Sequence, residues 1–143
     1  MQNFLLLVPI KKKILRDNLS KNIIYVGYSK HKELWLKNCD LLIVTSENEG
    51  FNRTIVEGML SKIPVIAVDS GAHKEIIRNK FNGWLVKKDN LSELINVSIK
   101  ILSLKNNNLK KIIERAEKYA KEKFNAEKHT IYISEIYLNL IKL

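Results

Sequence analysis

Glu49 and Glu57 are separated by seven residues in the stretch Ser46 to Val68, SENEGFNRTIVEGMLSKIPVIAV. The apolar run Leu41 to Val44 is predicted as a strand that delivers the chain to a turn at Ser46–Gly50. A helix is predicted to start near Thr54, with Glu49 in the loop and Glu57 in the first helical turn. Both carboxylates then lie at the carboxyl end of a strand, beside the unpaired N–H groups of a helix N-terminus. Open α/β sheets bind phosphorylated ligands at such places. The carboxylates can accept hydrogen bonds from sugar or ribose hydroxyls while the N–H groups take phosphates. The same residues also read structurally, because Thr54-x-x-Glu57 is a capping box in which Glu57 reaches back to the Thr54 backbone. Spacing alone leaves both readings open.

The surrounding pattern supplies the elements that would hold this stretch. Phe4 to Val8 is a continuous apolar run ended by Pro9, as in a strand buried on both faces. A short basic helix over Lys11–Leu19, a strand over Ile23–Val26 and a short helix over His31–Asn38 follow, the last with Leu34 and Trp35 turned inward. After the central helix, Val65–Val68 reads as the fourth strand. Asp69-Ser70-Gly71-Ala72 then leads to a short helix carrying His73 and Glu75. Gly71 opens a backbone turn onto that helix, which reads either as a phosphate contact or as an ordinary strand-to-helix connection.

Asn82-Gly83 is a turn signal before the short strand Trp84–Val86. Asn90-x-x-Glu93 caps a helix whose expected inner face is Leu91, Leu94, Ile95, Ser98, Ile101 and Leu102. A helix over Asn108–Lys123 packs Leu109, Ile112, Ile113, Ala116 and Ala120, with Glu114–Lys118 and Glu117–Lys121 as surface pairs. A last helix, Ala126–Leu140, is expected to contribute Ile133, Tyr137 and Leu140. Strands alternating with helices predict a Rossmann-like parallel sheet with flanking helices.

At 143 residues with 45% hydrophobic content, the chain is long enough for one domain with a real core. The single cysteine, Cys39, excludes an internal disulfide, fits a reducing cytoplasm and is read as a small buried residue. The longest apolar run is far short of the ~20 residues a membrane span needs. A net charge of +10 admits nucleic acid, an anionic membrane surface or a merely lysine-rich composition. Scarce arginine and the lack of a nucleic-acid motif put the compositional reading first, the membrane surface second, and no nucleic acid among the partners. His73 has no second histidine or cysteine at ligand spacing, so no metal site is expected.

The residues Ser46, Glu49-Gly50-Phe51, Glu57, Met59, Pro64-Val65-Ile66-Ala67, Gly71, Glu75, Gly83 and Leu85-Val86 resemble, in this order, the C-terminal nucleotide-sugar-binding domain of the retaining glycosyltransferases of family four. Agreement runs from about Phe4 to Leu140. The fold this resemblance implies is α/β, the incomplete C-terminal half of a GT-B fold. Residues 1–143 would form a partial donor-binding domain that includes C-terminal helices over 91–141. The implied activity is transfer of a sugar, with retention, from a nucleotide-sugar to a saccharide or lipid-linked acceptor, as in cell-envelope polysaccharide or lipopolysaccharide synthesis. Localisation would be cytoplasmic, with peripheral contact at the inner face of the membrane.

By the same resemblance Glu49 is the catalytic candidate, holding donor-sugar hydroxyls near the reacting carbon. Gly50, Phe51, Asn52, Thr54, Glu57 and Gly71 are the donor-binding candidates, with Glu57 on the ribose hydroxyls and the backbone of Gly50–Asn52 on the sugar and diphosphate. The base would lie near Gly27–Lys30. No cofactor is expected, the nucleotide-diphosphate sugar being a substrate. Two departures from the family pattern stand out. Asn52 occupies a position that often holds glycine, and Lys62 sits where glycine closes the helix in a left-handed conformation.

Matched to the family's domain, the sequence begins at its second strand. The absent first strand would be central, so the sheet is expected either to close up, Phe4–Val8 against Leu41–Val44, or to have its open edge covered by a second molecule. The partner would be a separate N-terminal half or another copy. A non-catalytic nucleotide-sugar-binding subunit of a split enzyme and an inactive truncated remnant are the alternatives to the enzyme. Lys11 to Lys13 read as a solvated face rather than as the family's diphosphate-binding basic pair.

Overall fold

The computed structural model describes residues 5–6, 24–25, 29–104 and 107–141. Element order is β1 (Leu5–Leu6), β2 (Ile24–Tyr25), α1 (Lys32–Lys37), β3 (Leu42–Val44), α2 (Arg53–Leu60), β4 (Val65–Val68), α3 (His73–Ile76), β5 (Trp84–Val86), α4 (Leu91–Ser103), α5 (Asn107–Lys123) and α6 (Ala126–Ile141). The expected helix over Lys11–Leu19, the Lys11–Lys13 cluster and Gly27 lie outside the described residues.

All strand pairs are parallel. β3, β4 and β5 form one sheet in that order, with Leu42 opposite Val65 and Ile66 opposite Trp84. β1 pairs with β2, Leu5 opposite Ile24. Closure of β1 onto β3 is not found among the described residues. The position of β3 is set from its other side, by the β4 ladder and by α2. A Cβ at Gly58 of α2 would stand 2.5 Å from Leu42 Cδ2, so the missing side chain lets the helix lie close on the strand.

The sheet is a central layer with apolar packing on both faces. Every residue of β4 is buried, as a strand covered on both sides requires. On one face Ile55, Val56 and Met59 of α2 pack with Val65, Ala67, Ile76 and Ile77, joined by Ala116 and Ala120 of α5. On the other, Ile101 of α4, with Leu94 and Val97 beside it, covers Ile66, Val68, Trp84 and Val86.

Several local signals are realised as expected. Asn90 Oδ1 accepts from the Glu93 N–H at the start of α4, and Lys62 closes α2 at φ 60°. Asn82 bonds the Arg78 N–H and the Ile76 carbonyl, fixing the turn into β5. Others differ. Leu34 and Trp35 are exposed, and Leu36 takes the single inward place a helix of one and a half turns offers. Leu91 and Ile95 also face outward, because the buried row of α4 runs through Leu94, Val97 and Ile101.

Glu117 pairs with Lys121 at 2.7 Å, but Glu114 pairs with Lys110 and Lys118 with Glu122. The whole of α6 is exposed, Ile133, Tyr137 and Leu140 included, since its apolar residues meet no partner layer among the described residues.

Candidate functional site

The loops after β3 and β4 leave the sheet at its carboxyl edge and meet there. The Ala72 N–H donates to the Glu49 carbonyl at 3.1 Å, and the Asn48 N–H donates to Ser70 Oγ at 3.3 Å. Gly71, at φ 52°, lies flat against this junction. A Cβ built on it would stand 2.7 Å from the Glu49 carbonyl oxygen and 3.1 Å from the Glu49 nitrogen. Left-handed φ and backbone contact together require glycine here. Glu49 and Gly71, predicted from separate segments, are thus brought into direct contact.

The start of α2 departs from the capping box read from the sequence. The N-cap is Asn52, not Thr54, and its Oδ1 accepts from the Ile55 N–H. Asparagine in extended conformation ahead of a helix is a preferred cap, so the helix starts one residue earlier than expected. Thr54 is an exposed residue within the first turn and Glu57 falls in the second. The backbone N–H groups of Gly50, Phe51 and Asn52 make no hydrogen bond among the described residues. Gly50 and Phe51 are exposed and lie between Glu49 and the amino end of α2, where free N–H groups capture anions, whereas Asn52, also expected to meet the donor, is buried beneath the loop.

The two carboxylates are placed differently. Glu49 is half-buried, and its side chain has no hydrogen bond or ion pair among the described residues. Glu57 receives a hydrogen bond from Lys32 Nζ, which reaches over from α1. Only Oε1 is engaged, leaving Oε2 available to a hydroxyl donor. Glu47 of the same loop pairs with Lys88 at 2.6 Å. The hydrogen bond from Lys88 to Glu47 and the attraction between their charges hold that ammonium above its usual value.

Phe51 is 49% exposed, and its ring meets Phe124 edge to face with centroids 5.3 Å apart. Beneath the loop, Asn52 Nδ2 donates to Ser46 Oγ at 3.0 Å and lies 3.0 Å from His73 Nε2. Neither Asn52 nor His73 is accessible, at 2% and 0% exposure.

Lys32 and the side chains of Asn52 and His73 were not anticipated as parts of the site. The Asn52 cap has a local signal, an asparagine three residues before a buried isoleucine. Lys32 has none, because only the fold brings it to Glu57. Cys39 is half-buried rather than buried, its thiol donating to the Trp35 carbonyl at 3.2 Å. Burial, then the Asp40 charge, raises the thiol above its ordinary value, the opposite of an activated nucleophile.

Residues 7–119 match the family model described as glycosyl transferases group 1. The chain is 34% identical over 134 residues to an uncharacterized glycosyltransferase of Methanocaldococcus jannaschii, covering 92% of this chain and 37% of the relative. It is 31% identical over 134 residues to the poly(ribitol-phosphate) alpha-N-acetylglucosaminyltransferase of Staphylococcus aureus, covering 92% and 26%. Among solved structures, Anabaena HepE in complex with UDP and glucose superposes with a TM-score of 0.82 and 26% identity, over 91% of this chain and 35% of that one. The chain thus spans well under half the length of these proteins. Its structural neighbours have the GT-B fold, and this sheet with its flanking helices matches a fraction of that architecture. A model match over most of the sequence, with relatives at this identity, fixes the family: the chain belongs to the group 1 glycosyl transferases.

Proposed function

We propose that this chain forms the donor-binding part of a retaining glycosyltransferase. It binds a nucleotide-diphosphate sugar for transfer to a saccharide or lipid-linked acceptor of the cell envelope. The observation that carries this reading is the junction of the two loops. Gly71 and Ala72 close on the Glu49 backbone, and the free N–H groups of the exposed Gly50 and Phe51 follow directly.

In this reading Glu49 accepts hydrogen bonds from the donor-sugar hydroxyls and Glu57 Oε2 accepts from the ribose. The N–H groups stabilise negative charge gathering on the leaving diphosphate, an electrostatic contribution to lowering the barrier. The UDP and glucose of the Anabaena complex support a nucleotide-sugar donor. The polyol-phosphate polymer named for the Staphylococcus aureus relative supports an envelope acceptor. β3 is paired only with β4 among the described residues. That edge is where a separate N-terminal half, or a second copy, would add to the sheet. A lipid-linked acceptor would place the assembly at the inner face of the membrane.

Calorimetric titration of the purified chain with uridine, guanosine and adenosine diphosphates tests the reading, with Glu57→Ala as control. Saturable binding of one nucleotide, lost in the variant, is expected. A folded chain that binds none of the three overturns the proposal.

A further inference from the structure

We propose that His73 is a positioning residue for the donor sugar, acting through Asn52 on the loop that carries Glu49. It extends the donor-site reading above to two side chains that lie wholly beneath the site.

The hydrogen bonds allow one arrangement. The cap fixes the Asn52 amide, because Oδ1 must face the Ile55 N–H to accept from it. Nδ2 therefore points the other way, toward Ser46 Oγ and His73 Nε2. An amide nitrogen only donates, so Nε2 accepts. The ring proton is then on Nδ1, which donates to the Val68 carbonyl at 2.8 Å. Val68 is the last residue of β4 and Ser46 follows β3 by two residues. His73 thus ties the end of one strand to the loop leaving its neighbour, 21 residues away from Asn52 in sequence.

The consequence is directional. With both polar side chains buried, breaking the bridge leaves one amide proton of Asn52 or the ring Nε2 of His73 without a partner, a costly state that the loop relieves by moving. Glu49 to Phe51 lie between the two anchors Ser46 and Asn52, so they shift as a unit. Glu57 is held separately, by the body of α2 and by Lys32. The bridge therefore bears on the sugar and diphosphate of the donor and much less on its nucleoside.

The test uses two amides that each replace half of the imidazole. His73→Gln presents an oxygen where Nε2 accepts, and His73→Asn presents an N–H where Nδ1 donates. Affinities for UMP and UDP-glucose are measured on both variants and on the parent chain. His73→Gln is expected to keep the parent's ratio of the two affinities. His73→Asn is expected to reduce it up to about tenfold, the scale of one buried hydrogen bond, while its UMP affinity stays within about twofold. Asn52→Ser keeps a capping oxygen but is too short to reach both the cap and His73, and should lower the ratio as His73→Asn does.

Hydrogen exchange of the Ala72 amide, measured without ligand, reports the junction independently of donor binding. It should quicken in His73→Asn and Asn52→Ser and not in His73→Gln. An unchanged ratio with unchanged exchange in His73→Asn overturns the proposal. So does equal damage in the glutamine and asparagine variants. If the parent binds neither probe, the donor-site reading fails and the exchange rates alone decide whether His73 positions the loop.

Discussion

Lys32 and Glu57, 25 residues apart in sequence, form an ion pair that joins α1 to α2 beside the proposed ribose position. Both side chains are partly exposed, at 44% and 28%, so solvent screens the pair and its own contribution to stability is small. Its effect is orientational: Lys32 holds Oε1 and leaves Oε2 unengaged. Glu57→Ala should lower nucleotide affinity by more than tenfold, since a charged acceptor of two hydroxyls is lost. Lys32→Ala should lower it less than about fivefold. Equal losses in calorimetry would mean that Lys32 itself carries the ligand.

Gly71→Ala should abolish preference for the nucleotide-sugar and cost about 1 kcal/mol or more in urea denaturation. The left-handed backbone disfavours alanine, and the new methyl would meet the Glu49 backbone, which cannot step aside as a side chain can. Gly50→Ala is the control, because a Cβ there meets nothing within 4 Å. Its stability should stay within about 0.5 kcal/mol of the parent.

Phe124 supports the loop from below, its ring meeting Phe51 and also Tyr119, with centroids 5.7 Å apart in the second pair. Phe124→Ala should destabilise by about 2 kcal/mol, less than a fully buried phenylalanine because the ring is only partly enclosed. Phe51→Ala should cost only about 1 kcal/mol, the worth of one edge-to-face contact on a half-exposed ring. Thermal or urea unfolding of the two variants would separate these values.

Lys62 occupies a left-handed position at φ 60° while its ammonium lies 3.3 Å from Glu117. Lys62→Gly removes the backbone strain, a gain of about 1 kcal/mol, against loss of the exposed contact. Lys62→Ala keeps the strain and loses the contact. Glycine should therefore give the more stable chain and alanine the less stable one, measured by urea midpoint.

Hydrogen bonding from Lys121, opposed in part by burial and reinforced by Lys62, holds the Glu117 carboxyl below the usual carboxylate range. A carboxyl lowered on folding stabilises the native state above its unfolded value, near 4.3, and loses that contribution as pH falls through the lower folded value. The stability difference between the parent and Glu117→Gln should be constant from pH 5 to 7 and shrink on acidification below about 4. A difference that grows on acidification would reverse the assignment.

Local signals carried much of the fold. Four apolar residues from Val65 to Val68, set between Pro64 and Asp69, specify a strand covered on both faces, and all four are buried. Asn90 caps its helix through Glu93, three residues on, and Asn82-Gly83 turns the chain into β5 within a few positions. The segment proposed to hold the donor was picked out by the resemblance of Glu49-Gly50-Phe51 and Gly71 to the family, since the spacing of the two glutamates alone fits a helix cap equally well. Helix faces were less legible. Leu91 and Ile95 carry the same apolar signal as Leu94 and Ile101, yet only one row of α4 meets the sheet.

The sequence by itself determined the parallel α/β pattern and which two loops carry the proposed chemistry, because strand periodicity, caps and turns are interactions among near neighbours. Only the tertiary structure decided that Gly71 lies on the Glu49 backbone, that Lys32 holds Glu57 and that His73 reaches Asn52. Each of these contacts spans more than 20 positions and exists only once parallel strands have been laid side by side by their crossover helices. No local pattern records which side chains then face one another at the carboxyl edge of the sheet.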